Sequence, residues 1–111
     1  MPKRQTLRAK GPAPVFAALG DETRLRLVAR LCERGPMSIT GLAEGTRVTR
    51  QATTKHLLAM EKARLVHSTR HGRERVWELD SSRLGEARHY LEVISKQWDE
   101  ALERLRAFVE E

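Results

Sequence analysis

The side chains best equipped for directional chemistry lie in one stretch, Thr49 to Ala63, TRQATTKHLLAMEKA. Wound as a helix at roughly 100° per residue, Arg50, Gln51, Thr54, Lys55 and Leu58 gather on one side. That side presents a guanidinium, an amide, a hydroxyl and an ammonium, with no acid before Glu61. Such groups pair with guanine and adenine edges and with phosphate oxygens. Ala52, Thr53, His56, Leu57 and Met60 fall on the opposite side, which is expected to be buried. Thr49 suits the N-cap, where its hydroxyl accepts from a backbone N–H of the first turn. A solvated helix face would carry similar residues, so the neighbourhood has to decide.

That neighbourhood is basic. From Arg47 to Arg75 there are 8 Lys/Arg against two acids, Glu61 and Glu74. After Ala63 the apolar period becomes alternating, and Leu65–Arg70 and Arg75–Leu79 read as two strands. His71-Gly72-Arg73-Glu74 forms the tip between them, with Gly72 supplying the positive φ of a tight turn. Arg70, Arg73 and Arg75 crowd this tip, while Trp77 and Leu79 alternate onto a face that covers the helices. A basic two-stranded wing can lie beside a groove and reach phosphates or the minor groove. An ordinary surface hairpin is the alternative.

Other chemistries find no footing. The four histidines, His56, His67, His71 and His89, share no ligand spacing, and a zinc site needs about three or four ligands. No metal ligand and no cofactor is expected. One cysteine, Cys32, excludes an intrachain disulfide. No nucleophile elbow, phosphate loop or paired carboxylates stand out, so no catalytic residue and no enzyme is expected. Ser81 and Ser82, ahead of a helical stretch, read as caps.

The elements that position these residues follow from period and punctuation. The 111 residues make one domain, with a net charge of +6. Residues 1–80 hold 16 Lys/Arg against 8 Asp/Glu, and residues 81–111 hold 5 against 7. A basic body with a mildly acidic tail predicts a polyanion-binding surface and a separate segment with another task. Residues 1–12 read as a mobile basic arm. Pro14 opens a first helix that ends at Gly20. Asp21 caps a second, ending at Gly35-Pro36, with Leu25, Val28, Leu31 and Cys32 on its inner face and the thiol packed. Met37-Ser38-Ile39 is a short extended piece. A brief helix capped by Thr40 or Ser38 runs about Gly41 to Glu44, and Gly45–Val48 turns into the Thr49 helix. Short helix, turn and longer helix are helix-turn-helix geometry.

From Ser81 or Ser82 the chain is helical to near its end. Leu84, Ala87, Leu91, Ile94, Trp98, Ala101, Leu105 and Phe108 step alternately by 3 and 4, a heptad seam. A helix of roughly 28 residues is about 42 Å long, more than this domain can cover. Part of the seam, through Leu84, Leu91, Ile94, Trp98, Leu105 and Phe108, is expected to meet a second copy. The alternative is packing on its own domain alone. No apolar run approaches a membrane span, and a cytoplasmic location is expected.

In this order, ALGDETRLRLVARL, VTRQATTKHLLAMEKARLV and RHGRERVWELD resemble the ArsR/SmtB-like family of winged helix-turn-helix transcription regulators over about Val15 to Asp80. The resemblance implies a mostly α fold with a small β-hairpin, a winged helix-turn-helix over 13–80 and a long C-terminal dimerisation helix over 81–111, as one folded unit. It implies a sequence-specific homodimeric repressor on an inverted-repeat operator. Thr49, Arg50, Gln51, Thr54, Lys55 and His56 would lie at double-stranded DNA, with Arg70, Arg73 and Arg75 on the wing. SITGLAEGT lacks the Cys-x-Cys of metal-sensing members and His89 lacks a companion, so the chain resembles a metal-independent branch. Arg64 stands where relatives have Gly, and Thr53 where they usually have Val. Two other readings remain: a module whose basic face meets an acidic protein, and a sensor of a non-metal ligand or thiol.

Overall fold

The computed structural model describes residues 11–110. The expected basic arm lies outside the described residues over 1–10. Helix α1 (Ala13–Leu19) starts after Pro12 with Pro14 in its first turn, where a missing N–H costs nothing. Asp21 opens α2 (Glu22–Arg34), its carboxylate accepting from the Arg24 N–H at 2.9 Å. Strand β1 (Met37–Ser38) leads into α3 (Ile39–Ala43), capped by Ser38 through the Gly41 N–H. Ile39, expected in the extended piece, is thus the first helical residue. Helix α4 (Arg50–Lys62), strands β2 (Val66–His71) and β3 (Glu74–Leu79) and helix α5 (Ser81–Glu110) complete the chain.

The expected hairpin proves to be two-thirds of a sheet. Strand β1 pairs antiparallel with β3, giving the order β1-β3-β2. The strands run one residue closer to the tip at each side than their periodicity predicts, so the turn is Gly72-Arg73 alone. Gly72 has φ 66°, and a glycine in that conformation at the first central position is the II′ pattern that matches strand twist.

One core joins these elements: Val15 and Ala18 of α1, Leu27 and Leu31 of α2, Leu42 of α3, Leu57 and Met60 of α4, then Leu65, Val66, Trp77 and Ala87. The inner face of α2 differs from the expected one. Leu27 and Leu31 are buried, whereas Leu25 is 50% exposed and Cys32 is exposed. Apolar residues span about half of the circumference of α2, from Leu27 and Leu31 through Val28 and Cys32 to Leu25, and its packing against β3 and α4 selects the Leu27–Leu31 side. The thiol is therefore not packed.

Helix α4 ends on Arg64, whose φ is 62°. The Leu65 N–H donates to the Met60 carbonyl and the Arg64 N–H to the Glu61 carbonyl, both at 2.9 Å. This paired closure needs a left-handed residue after the cap, usually Gly. Arginine there costs about 1 kcal/mol. Buried Leu65 closes the motif with an apolar contact.

Asp80, and neither of the two serines, caps α5: its Oδ1 accepts from the Arg83 N–H at 3.1 Å and from the Ser82 hydroxyl at 2.7 Å. These bonds hold its carboxyl below the usual range, the Ser82 hydroxyl contributing most. Arg83 is 1% exposed. Its Nε donates to the Ala63 carbonyl at 3.0 Å and its guanidinium meets Glu86 at 2.9 Å. Leu84, expected at the seam with a second copy, lies half-buried against its own core, and Ala87 is buried. Tyr90 meets Phe16 with ring centroids 6.0 Å apart. Beyond them α5 leaves the domain, with Leu91 53%, Ile94 42%, Trp98 64%, Leu105 59% and Phe108 75% exposed. The radius of gyration is accordingly 18.1 Å, against about 13 Å for a compact chain of about 100 residues.

Candidate nucleic-acid interface

Helix α4 is held so that one side faces out. At its start the Thr49 hydroxyl accepts from the Ala52 N–H at 3.1 Å. Thr53, Leu57 and Met60 are buried, and the Thr53 hydroxyl donates back to the Thr49 carbonyl at 2.9 Å. A threonine thus satisfies itself within the core where a valine would pack. These three anchors set the rotation, and Arg50, Gln51, Lys55 and Leu58 are exposed as the wheel predicts. Thr54 is half-buried and donates to the Arg50 carbonyl at 2.9 Å.

His56 is not among the outward donors. Its Nδ1 lies 3.3 Å from the Arg24 guanidinium and 3.9 Å from the Asp21 carboxylate, at the joint between α4 and the start of α2. The Asp21 carboxyl is held below the usual range, first by the Arg24 N–H, then by the charges of His56 and Arg24. His56 belongs to the inner side of the wheel, and the structure keeps it there.

The turn ahead of α4 is braced from α2. Arg30 donates from its two terminal nitrogens to the carbonyls of Glu44 at 2.8 Å and Gly41 at 3.1 Å. Orphan carbonyls at the end of a short helix are thereby satisfied by a cation, the favourable sign at a C-terminus. The Thr46 hydroxyl donates to the Ala43 carbonyl at 2.7 Å. Gly45 takes φ 76° to reverse the chain.

The sheet brings the wing to the same side. Register places Arg70 directly opposite Arg75, on the face that Trp77 uses to cover the core. Like charges so paired repel, and an anion between them removes the repulsion. The Arg75 guanidinium sits 5.6 Å from the centre of the Trp77 ring. Between α4 and the wing runs a groove lined by Arg50, Thr54, Arg73 and Arg75, with Ser38, Thr40 and Glu74 at its sides. Residues far apart in sequence thus converge on one cationic cleft. Gln51 and Lys55 are exposed on the same helix, and Arg70 stands across the wing from Arg75.

Two contacts that seat this site join residues distant in sequence. Arg83 ties the first turn of α5 to the C-cap carbonyl of α4. His56 and Asp21 join α4 to α2. A charged residue on an apolar phase of a helix is the one available signal, and Arg83 carries it, one residue before Leu84. Among the described residues no three His, Cys, Asp or Glu side chains come together as metal ligands would. No described helix is long and apolar enough to cross a membrane.

A helix-turn-helix domain family matches residues 19–69. The HTH-type transcriptional regulator Rv2034 of Mycobacterium tuberculosis is 36% identical over 93 residues, 84% of this chain and 83% of the relative. Among solved structures, an ArsR-like transcriptional regulator from Rhodococcus sp. RHA1 superposes with a TM-score of 0.75 at 37% identity, covering 87% of this chain and 91% of that one. The homodimeric winged helix-turn-helix DNA-binding domain Mb0332 from Mycobacterium bovis shares the fold, with a TM-score of 0.64 at 23% identity, over 92% of this chain and 89% of that one. With identities at this level across most of both chains, the protein belongs to the ArsR-like family of winged helix-turn-helix transcriptional regulators.

Proposed function

We propose that the protein is a homodimeric repressor that binds an inverted-repeat operator. What carries the reading is the cleft in which Arg50 and Thr54 of α4 meet Arg73 and Arg75 of the wing. A duplex offers both things this cleft suits: base edges in the major groove for the helix, and a phosphate strand between helix and wing. Two α4 helices related by a two-fold axis would enter successive major grooves roughly 34 Å apart. The bare seam of α5, from Leu91 to Phe108, supports a second copy as its cover. Thr49, Arg50, Gln51, Thr54 and Lys55 face the operator, with Arg50 and Gln51 reading bases. Arg70, Arg73 and Arg75 bind phosphate. His56 acts from behind, by seating α4. The chain works in the cytoplasm, without metal or catalysis.

A salt titration with the duplex upstream of its own gene tests this. The logarithm of affinity should fall linearly with the logarithm of salt, at about 0.9 per phosphate neutralised. Arg50→Ala should cost about 1–3 kcal/mol on the preferred sequence and relax base choice, whereas Arg73→Ala should weaken all sequences alike and reduce the salt slope by about 1. A flat salt response, or a preference for an acidic protein over any duplex, overturns the reading.

A further inference from the structure

A second concavity, of about 440 Å³, lies between α2 and the turn Gly45–Val48. We propose that it is an effector site for a small carboxylate with an apolar body. Arg26, Arg30 and Arg47 line it, with no Asp or Glu among the lining residues. The Arg26 guanidinium leans away onto Glu22 at 2.6 Å, which leaves Arg30 and Arg47 to meet an anion. Its floor is apolar or already satisfied: Leu27 is buried, Val48 is half-buried, and the Thr53 hydroxyl is committed to the Thr49 carbonyl. A cavity of this size and mixture, apolar with a few convergent polar groups, is of the kind that holds small ligands.

Arg30 gives the cavity its connection to the rest of the molecule. Its terminal nitrogens brace the carbonyls of Gly41 and Glu44, while its Nε is buried without an acceptor among the described residues. A buried donor left unmade favours any arrangement that satisfies it. A carboxylate offers the planar fork two parallel charge-assisted bonds, stronger than those to neutral carbonyls. Binding therefore draws the guanidinium off the end of α3 and loosens the turn that leads into α4. The effector favours a state in which α4 is less well held, so it weakens operator binding. By linkage the operator weakens effector binding by the same factor. This release rests on the operator-binding reading, whereas occupancy of the cavity does not. The same guanidinium groups could instead hold a phosphate of the duplex, and the experiment separates the two.

Sodium octanoate and, separately, inorganic phosphate are titrated calorimetrically into the full chain. Octanoate should bind saturably at one site per chain and phosphate should not. Arg47→Met should weaken octanoate about tenfold, the loss of one charge-assisted bond. Ala29→Trp, at the rim, should abolish octanoate binding while leaving affinity for the upstream duplex within about twofold, since a rim residue carries no phosphate contact. Octanoate should release that duplex from the unaltered protein and not from Ala29→Trp. No saturable octanoate binding, or binding indifferent to both substitutions, overturns the proposal. So does an Ala29→Trp chain that loses duplex affinity, which would make the cavity a phosphate contact. Octanoate binding by a protein that ignores every duplex would sustain the site and remove the repressor.

Discussion

Helices α4 and α5 both turn a whole side to solvent, and the two sides have opposite chemistry. Arg50, Gln51 and Lys55 of α4 are polar groups that water satisfies until a ligand replaces it. Leu91, Trp98 and Phe108 of α5 are 53%, 64% and 75% exposed, and each leaves apolar surface in water at roughly 25 cal/mol per Å². A donor face can therefore wait empty, while an apolar face of this length asks to be covered whenever the protein is folded. The exposed side of α4 points to a transient ligand and that of α5 to a standing partner. The two helices meet at one joint, where Arg83 of α5 donates to the last carbonyl of α4. In the proposed dimer on DNA, this bond would link the helix covered by the second copy to the helix facing the duplex.

The contrast breaks most severely if α5 is made polar as well. Ile94→Glu with Trp98→Glu places like charges on the seam and touches nothing in α4. The protein should then run at half its mass on sizing. Affinity for a two-half-site duplex should fall on the order of a hundredfold or more, because the second half-site is no longer tethered. A dimer that survived both substitutions would place the interface elsewhere.

Cutting the joint is the next largest test. Arg83→Met keeps the buried stem and removes the donor, leaving the Ala63 carbonyl without that bond. Urea unfolding should show a loss of about 1–3 kcal/mol. If unfolding were unchanged, the two helices would not be coupled through this residue.

Smaller effects sharpen the account of how α4 is seated. Thr49→Ala removes the cap and should cost about 1 kcal/mol. Arg64→Gly relieves the left-handed strain at the other end and should return up to about 1 kcal/mol. A thermal midpoint that rose in Thr49→Ala would contradict the cap, and one that fell in Arg64→Gly would contradict the strain at Arg64.

The mildest test is acid. Asp21 and Asp80 both bind their protons less readily when folded, Asp21 chiefly through the Arg24 N–H and Asp80 chiefly through the Ser82 hydroxyl. The unfolded chain therefore takes up more protons. The stability these groups lend is present above the ordinary carboxylate value, about pH 4, and is lost as pH falls below it toward the folded values. Asp21→Asn and Asp80→Asn should each flatten the decline in the denaturation midpoint between about pH 4 and pH 2. A decline as steep as in the unaltered protein would detach these caps from acid unfolding.

Much of this molecule is local, and local features were legible. The cap at Thr49, the rotation of α4 by Thr53, Leu57 and Met60, the turn at Gly72 and the unburied seam of α5 each follow from residues within a few positions of one another. Spacing alone determines the phase of a helix or strand, and punctuating residues determine its ends. What the tertiary structure decided were choices between equals. Leu25 and Cys32 have as good a claim to the core as Leu27, until β3 and α4 press on one side of α2. Met37-Ser38 can be a loop until Val76 and Trp77 offer it a strand to pair with. Ser81 and Ser82 read as caps of α5, yet they are its first two residues and Asp80 caps it. Arg83 is one more helical cation until the C-cap carbonyl of α4 arrives beside it. The wheel puts His56 on the inner side of α4, against the position the family resemblance implied, and there Asp21 and Arg24 engage it. For Leu27, β1 and Arg83 the deciding energy lies between residues distant in sequence, and no period along the chain records it, whereas the Asp80 cap is local, made with Ser82 and Arg83.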